Sequence, residues 1–263
     1  MKLRILASGS SGNCALLQTE QARVLIDAGY SARRIRALLA EAGEKLEDID
    51  AVFVTHDHSD HTIGLSGLAR LPELKVFANA ATMRAVQATL DRQPSWQIFE
   101  TGSRFRFRDL EVDTFSVPHD AHDPVGFRFS TGFADDLFQP RKSLAWLTDL
   151  GHVPQHVRER LNDCDSLVVE SNHCPALLKA CVTRPWSTKQ RISGRHGHLS
   201  NESVHELLSG FAHPRWRHVF LTHLSRDCNS LDAVETMLST LRKHHTCDFN
   251  VVAPGGGTST VEW

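Results

Sequence analysis

Thr55-His56-Asp57-His58-Ser59-Asp60-His61 follows directly on the apolar run Ala51-Val52-Phe53-Val54. A short run with β-branched residues that ends in polar side chains reads as a buried strand delivering its C-terminal tip to a site. Three imidazoles and two carboxylates within seven residues exceed what a turn requires. Neutral imidazole and ionised carboxylate are ligands of zinc, manganese and iron. His56 and His58 alternate, so both can face one ion, while Asp60 and His61, around the bend, can face a second. The alternative is a polar loop with accidental histidines, and a ligand cluster at a strand end is the stronger reading.

Outward from this cluster the chain has 263 residues, 41% hydrophobic and 23% charged, enough for one large α/β domain over residues 1–263. No apolar run reaches the length of a membrane span, and Leu3-Arg4-Ile5-Leu6-Ala7 reads as a strand, so the expectation is a cytoplasmic protein with no membrane partner. Cys14, Cys164, Cys174, Cys181, Cys228 and Cys247 include no Cys-x-x-Cys pair, which argues for free thiols and against a zinc knuckle. A formal charge of −2 argues against a generic polyanion binder. Its distribution is uneven: Lys179 to Arg217 holds seven Lys/Arg against two Asp/Glu, a local balance of +5. Such a stretch can bind phosphates or can be a solvated basic face, and charge alone does not separate the two.

Residues 3–7, 14–19 and 23–26 read as strands. Between the first two, Ser8-Gly9-Ser10-Ser11-Gly12-Asn13 can expose backbone N–H groups to an anion, although a Gly/Ser turn by itself is usually a hairpin. Asp27, at the tip of Val24-Leu25-Ile26, is suited to bracing a neighbouring loop or a ligand imidazole. Ser31 caps a helix with Ile35, Leu38, Leu39 and Ala42 on one face. Ile63 to Leu71 is predicted as a short helix, Val76-Phe77 as a strand and 80–90 as a helix. Phe105-Arg106-Phe107 and Leu110 to Val117 pair around Arg108-Asp109 and lead to Pro118-His119-Asp120, with His122 and Asp123 close by. Val125 to Thr131 and Ser143 to Leu147 form a hairpin with Ala134-Asp135-Asp136 in its loop. Its second strand ends at Thr148-Asp149, where a carboxylate can bridge two ions or can cap the helix that starts at Pro154.

Ser166-Leu167-Val168-Val169 is a buried strand whose tip carries Glu170-Ser171-Asn172-His173. Asn172 and His173 can meet substrate or orient a ligand. Lys189, Arg191 and Arg195 precede His198, and Ser200 or Asn201 caps a helix with Val204, Leu207, Leu208 and Phe211 on its inner face. Cations, backbone N–H groups and a helix dipole converge there, which suits a phosphate. Val219-Phe220-Leu221 is the next strand, ending at Thr222-His223, and the last helix carries Leu231, Val234, Leu238 and Leu241. Pro254-Gly255-Gly256-Gly257 lacks the Lys-Ser/Thr of a phosphate loop and reads as a turn into a terminal strand. Strands interleaved with helices throughout point to sheets covered by helices on both outer faces.

The His-x-His-x-Asp-His pattern resembles that of the metallo-β-lactamase-fold hydrolases, and within them the YycJ/WalJ-type bacterial nucleases. The closer resemblance is carried by Ser8 to Asn13, Pro118-His119-Asp120-Ala121, Thr148-Asp149-Leu150-Gly151, Glu170-Ser171-Asn172-His173, Gly197-His198-Leu199-Ser200-Asn201 and His223-Leu224-Ser225. It implies an αβ/βα four-layer sandwich of two stacked mixed sheets, helices outside and the site along one shared edge. It also implies two divalent ions, zinc or manganese. His56, His58 and His119 would bind the first, Asp60, His61 and His223 the second, and Asp149 would bridge them. All seven positions hold a competent ligand. The resemblance further implies a loop from Ser8 through Ser11 to Asn13 lying beside the metal site. Where the family carries an acidic residue after His173, Cys174 stands here, and Thr183 to Ser187 also departs from the pattern.

Such a pair of ions lowers the pKa of a bridging water from ~15.7 to roughly 7 and accepts charge at the attacked centre. That chemistry serves phosphorus and carbon alike, so function has to come from the surroundings. The basic stretch and His198, a candidate proton donor alongside the ligand Asp60, favour a phosphodiester; His198 as a buried hydrogen-bonding histidine is the plainer alternative. The expectation is a DNA exonuclease, with 5′ to 3′ action on duplex DNA implied by the resemblance alone. A small-molecule hydrolase of thioesters, lactones or cyclic phosphodiesters is the second reading; it requires a closed pocket.

Overall fold

The computed structural model describes residues 1–132, 140–212 and 214–263. The first half runs β1 (Lys2–Ala7), β2 (Cys14–Gln18), β3 (Arg23–Ile26), α1 (Ala32–Glu41), β4 (Ala51–Phe53), α2 (Ser59–Thr62), α3 (Leu65–Leu68), β5 (Lys75–Asn79), α4 (Ala80–Gln87) and β6 (Ser95–Phe99). The second half runs β7 (Arg104–Phe107), β8 (Leu110–Ser116), β9 (Val125–Thr131), β10 (Lys142–Leu147), α5 (Gln155–Leu161) and β11 (Ser166–Glu170). It continues with α6 (Pro175–Ala180), α7 (Trp186–Ile192), α8 (Asn201–Ser209), β12 (His218–Thr222), α9 (Leu231–Leu241), β13 (Asp248–Val251) and β14 (Val261–Glu262).

Two seven-stranded sheets result, β14-β1-β2-β3-β4-β5-β6 and β13-β12-β11-β10-β9-β8-β7. Each is mixed in the same way. β1 to β3 pair antiparallel and β3 to β6 parallel. In the second sheet β7 to β10 are antiparallel and β10 to β13 parallel. The side-chain period of two explains the layering, because successive residues serve opposite faces. Val24, Ile26, Ala51 and Phe53 join the core between the sheets, while Leu25 and Val52 join the core under α1. In the same manner Val168 and Phe220 face the other sheet, whereas Leu167, Val169, Val219 and Leu221 meet α8 and α9. Three apolar cores therefore separate four layers, which is the αβ/βα sandwich.

Phe53 is the hub of the central core. It is fully buried, stacks on Phe77 at 4.6 Å and meets Phe129 and Phe127 of the opposite sheet edge-on at 5.3 and 5.9 Å. The strand that delivers the histidine cluster is thus clamped by aromatic contacts two residues before that cluster begins.

Most elements fall where the hydrophobic pattern predicts them, and the departures have local causes. Residues 63–71 are not one helix: α2 and α3 are single turns separated at Gly64, which packs so closely that an added Cβ would stand 2.3 Å from the Tyr30 carbonyl. α7 and the edge strand β6 were not expected; α7 buries none of its residues, and in β6 only Phe99 is buried, so neither carries a periodic signal. β13 has no fully buried residue either. Pro154 starts α5 as its cap, so Asp149 is left out of that role. Ala134-Asp135-Asp136 lies outside the described residues. No helix among the described residues is long and apolar enough to cross a membrane, and all six cysteines are free.

Truncation at the hub tests the layering. Phe53→Ala is expected to lower unfolding free energy by about 3–5 kcal/mol through lost burial and the cavity left behind. Denaturant melts read this; a loss below about 1 kcal/mol would remove Phe53 from the centre of the inter-sheet core.

Candidate metal centre

Strand ends from both sheets converge on one edge. β3 leads to Asp27, β4 to Thr55 and His56, β8 to His119, β10 to Asp149, β11 ends in Glu170, and β12 leads to His223. Asp27, Asp149 and His223 adopt left-handed backbone angles, with φ of 62°, 58° and 55°. That conformation costs a side-chain-bearing residue roughly 1–3 kcal/mol and is held only where surrounding contacts over-determine it. Here it folds the chain back at the strand tip, keeping these groups over the sheet edge. After β4 the chain turns into α2 behind His58, which carries Asp60 and His61 around the bend.

The cluster contains two trios, His56 with His58 and His119, and Asp60 with His61 and His223. Asp149 groups with His56 and His61, and within each of these groups the ligand atoms lie within 4.8 Å of one another. Its Oδ2 stands 3.3 Å from His61 Nε2 and its Oδ1 4.0 Å from His119 Nε2, so the carboxylate reaches both trios. His58 Nδ1 and His119 Nε2 approach to 3.3 Å. His223 Nε2 and His61 Nε2 each lie 3.7 Å from Asp60 Oδ2.

Behind the cluster, each imidazole has an oxygen on its other nitrogen. His61 Nδ1 meets Asp27 Oδ2 at 2.8 Å, and His56 Nδ1 meets Thr55 Oγ1 at 3.0 Å, a hydroxyl that itself donates to Asp27. His58 Nε2 meets the Asp120 carbonyl at 3.1 Å, His119 Nδ1 the Gly197 carbonyl at 3.0 Å, and His223 Nδ1 Glu170 Oε2 at 3.2 Å. An oxygen behind a ring fixes its tautomer and turns the basic nitrogen forward, the arrangement of metal-bound histidine. The forward atoms are left without partners: His56 Nε2, His223 Nε2 and Asp149 Oδ2 are buried and make no hydrogen bond. Such orphans are rare in folded proteins, and a pair of divalent cations, one at each trio with Asp149 between them, would satisfy all three.

Electrostatics agree. Burial, reinforced by His61 and His119, pushes His56 well below the ordinary imidazole value, and burial also lowers His119. Both shifts favour the neutral ring, the form that binds a metal. Burial would lower His61 as well, but Asp149, Asp27 and Asp60 outweigh it and raise that imidazole to about 9. Burial is likewise outweighed at His223, by Asp149, Asp60 and Glu170. The second trio therefore sits in a field that favours positive charge.

The loop from Ser8 to Asn13 braces this half. Ser8 Oγ accepts from the His223 N–H at 2.9 Å and donates to Asn13 Oδ1, and Asn13 Nδ2 lies 3.1 Å from His61 Nε2. Gly29 is required where three loops meet, since a Cβ there would stand 1.7 Å from the Asp60 carbonyl. Ser11 is exposed and lines a neighbouring cleft.

His198 Nδ1 lies 3.0 Å from Glu170 Oε2 and 3.6 Å from Asp149 Oδ1, so its Nε2 is the nitrogen turned away from these carboxylates. Glu170 was not singled out from the sequence, yet it is fully buried and accepts from Leu150 N–H, Leu199 N–H, His198 and His223. The signal was available: a carboxylate ends an otherwise apolar strand. Asp120, on Arg191 and 3.4 Å from His119, was also unassigned.

Asn172 lines the cleft over the cluster and its Nδ2 donates to the His223 carbonyl. Ser200 caps α8 through the Ser203 N–H, and Asn201 is held by Ser171 and Asn229, so both lie in a buried loop network. Arg195 packs beside His152. Burial lowers His173 to about 4. The basic stretch divides: Arg184 and Arg191 line the cleft, Lys179 and Lys189 line the cleft next to it, and Arg215 pairs with Asp165 at the far end of the sheet.

A cleft of about 230 Å³ covers the cluster. It shares Ser10 and Arg184 with a second cleft of about 230 Å³ and His198 with a third of about 400 Å³. The cleft over the site is thus flanked by two others along a grooved face. A cavity of about 450 Å³ among Arg104, Arg128, Arg141 and Arg215 does not reach the cluster.

Loss of a brace should appear in metal affinity. Asp27→Asn is expected to weaken divalent-metal uptake about 10- to 100-fold with secondary structure intact. Titration against a chromophoric chelator measures it; wild-type affinity would mean that Asp27 does not orient His61.

Comparison with known proteins agrees with this geometry. The family model described as "Beta-lactamase superfamily domain" matches residues 22–224, a span that includes all seven clustered side chains. The chain is 39% identical over 232 residues to exodeoxyribonuclease WalJ of Streptococcus pneumoniae serotype 2, covering 87% of this chain and 83% of that protein. It is 34% identical over 237 residues to exodeoxyribonuclease YycJ of Bacillus anthracis, covering 89% and 86%. A solved diphosphatase of the PhnP family superposes with a TM-score of 0.68 at 18% identity, covering 99% of this chain and 98% of that one, which establishes the shared fold. With its two stacked mixed sheets and its histidine-aspartate edge, the chain belongs to the metallo-β-lactamase superfamily of hydrolases, in the family of WalJ and YycJ.

Proposed function

We propose that this protein is a two-metal phosphodiesterase that shortens DNA from its ends, in the manner named for its WalJ and YycJ relatives, with 5′ to 3′ action on duplex DNA. The observation that carries the reading is the partnerless set His56 Nε2, His223 Nε2 and Asp149 Oδ2, buried beneath a cleft that Asp149 and His223 line. His56, His58 and His119 would hold one divalent ion, Asp60, His61 and His223 the other, and Asp149 both. Imidazole and carboxylate donors serve both zinc and manganese. Ions so held supply Lewis acidity and an activated water at neutral pH.

The chain's own groups account for the rest. Arg184 and Arg191 line the cleft and offer counter-charge to a backbone phosphate, although Asp227 and Asp120 already engage them. Glu170 holds His198 by Nδ1, so Nε2 can carry the proton that the departing oxygen needs. The groove supports a strand over a small ester, since a small-molecule site would be enclosed.

His198→Ala is expected to lower kcat about 10²- to 10⁴-fold while two metal equivalents stay bound. Cleavage of end-labelled duplex with manganese and elemental analysis of the same samples read both; wild-type cleavage would remove the proton-donor role. A protein inert on DNA but active on a thioester or lactone would overturn the nuclease reading. Binding should also weaken with salt, about one decade per decade of salt for each phosphate contacted. A flat response would leave Arg184 and Arg191 without phosphate partners.

A further inference from the structure

Helix α7 stands between two clefts. Its Thr188, Arg191 and Ile192 line the cleft over the metal centre, and its Trp186, Lys189, Gln190 and Ser193 line the one behind. His198 belongs to both walls. The rear cleft encloses about 400 Å³ and is mainly apolar, with Pro175, Leu178 and Trp186 among its walls. Trp186 is 70% exposed, an unusual cost for an indole on a helix that buries no residue. His173 also lines this cleft; it is 2% exposed and its Nδ1 has no hydrogen-bond partner. Lys179 and Lys189 stand at the same cleft.

We propose that the rear cleft is a nucleobase subsite, taking one unpaired base of the strand whose phosphodiester lies at the metal centre. The proposal rests on the nuclease reading above. A heterocycle has the three properties that this cleft requires. Its flat apolar face buries against Leu178 and stacks on Trp186, as bases stack on aromatic side chains in single-strand sites. Its polar edge offers a partner to the orphaned His173 Nδ1. Its phosphates are anionic, Lys179 and Lys189 line the same cleft, and His198 lines both this cleft and the one over the metal centre. A cavity of this size has room for a heterocycle, and stacking on Trp186 with the polar edge inside the cleft takes that edge away from a pairing partner. The base must therefore leave its partner first, which a frayed duplex end allows at least cost.

Duplexes carrying one abasic nucleotide at successive positions beside the cleaved bond test this. Wild type is expected to show a KM about tenfold higher when one particular position is abasic and little change at the others. Trp186→Ala should raise KM by a similar factor on intact duplex and lose the sensitivity to that position, and Trp186→Phe should restore both. Trp186 is exposed, so the variants are expected to fold. DNA cleavage with no position-dependent penalty, or Trp186→Ala with wild-type KM, would overturn the subsite and leave the nuclease reading standing. A wild-type protein that does not cleave DNA would overturn both.

Discussion

Three carboxylates, Asp27, Asp149 and Glu170, lie at one sheet edge with 0%, 2% and 0% of their surface exposed. An unpaired buried carboxylate costs far more than a folded protein's net stability, so each must meet donors or positive charge. Asp27 finds Thr55 and His61, and Glu170 finds two backbone amides and two imidazoles. Asp149 keeps one oxygen without a hydrogen bond, between the two histidine trios. The rest of the edge is arranged to make that burial tolerable, and the missing positive charge is what two divalent ions would contribute. Imidazoles crowded this closely would repel once protonated, and burial with these neighbours holds His56 well below the ordinary imidazole value.

Such a cluster needs a scaffold that cannot relax. The three interlayer cores supply it by fixing where each strand ends, and left-handed residues at Asp27, Asp149 and His223 turn strand ends into side chains gathered over the sheet edge. The two sheets carry the same order of antiparallel then parallel strands, so the C-terminal tips of β3 and β4 meet those of β10, β11 and β12 across one edge. Side chains drawn from several distant stretches then depend on the whole sandwich, and Phe53 packs three residues before His56.

How far the sequence discloses this follows from where the information resides. His56 to His61 are legible because local spacing brings them together, and the strands beside them are legible because both faces are apolar. His119, Asp149 and His223 are each a lone residue at a strand end; only the matching motifs single them out, since their proximity is a property of the sheet order. Glu170 escaped because an acid at a strand tip has many uses, and its four donors come from β11's neighbours in space. The basic stretch misled in the opposite sense. Residues 179–217 look like one cationic face, but the chain crosses α8 between Arg195 and Arg215, and Arg215 ends beside Asp165, away from the groove. Charge that is contiguous in sequence need not be contiguous on the surface.

The elements that sequence periodicity cannot read are the ones that shape the groove. α7 has no inward face to give a period; its position is set by Arg191 on Asp120, by the His198 N–H on the Ile192 carbonyl, and by Gly197, where a Cβ would stand 2.1 Å from the Arg191 carbonyl. Those contacts tie the helix to the loop that carries His198, and Asp120 ties it to His119. A segment held by polar contacts at its rim rather than by a buried stripe can change its outer residues without disturbing the core. Within one fold, the metal edge is then constrained by burial and geometry together, whereas α6 and α7 are free to vary with what the groove accepts. Cys174 and residues 183–187, which the resemblance marks as departures, lie at the starts of these two helices.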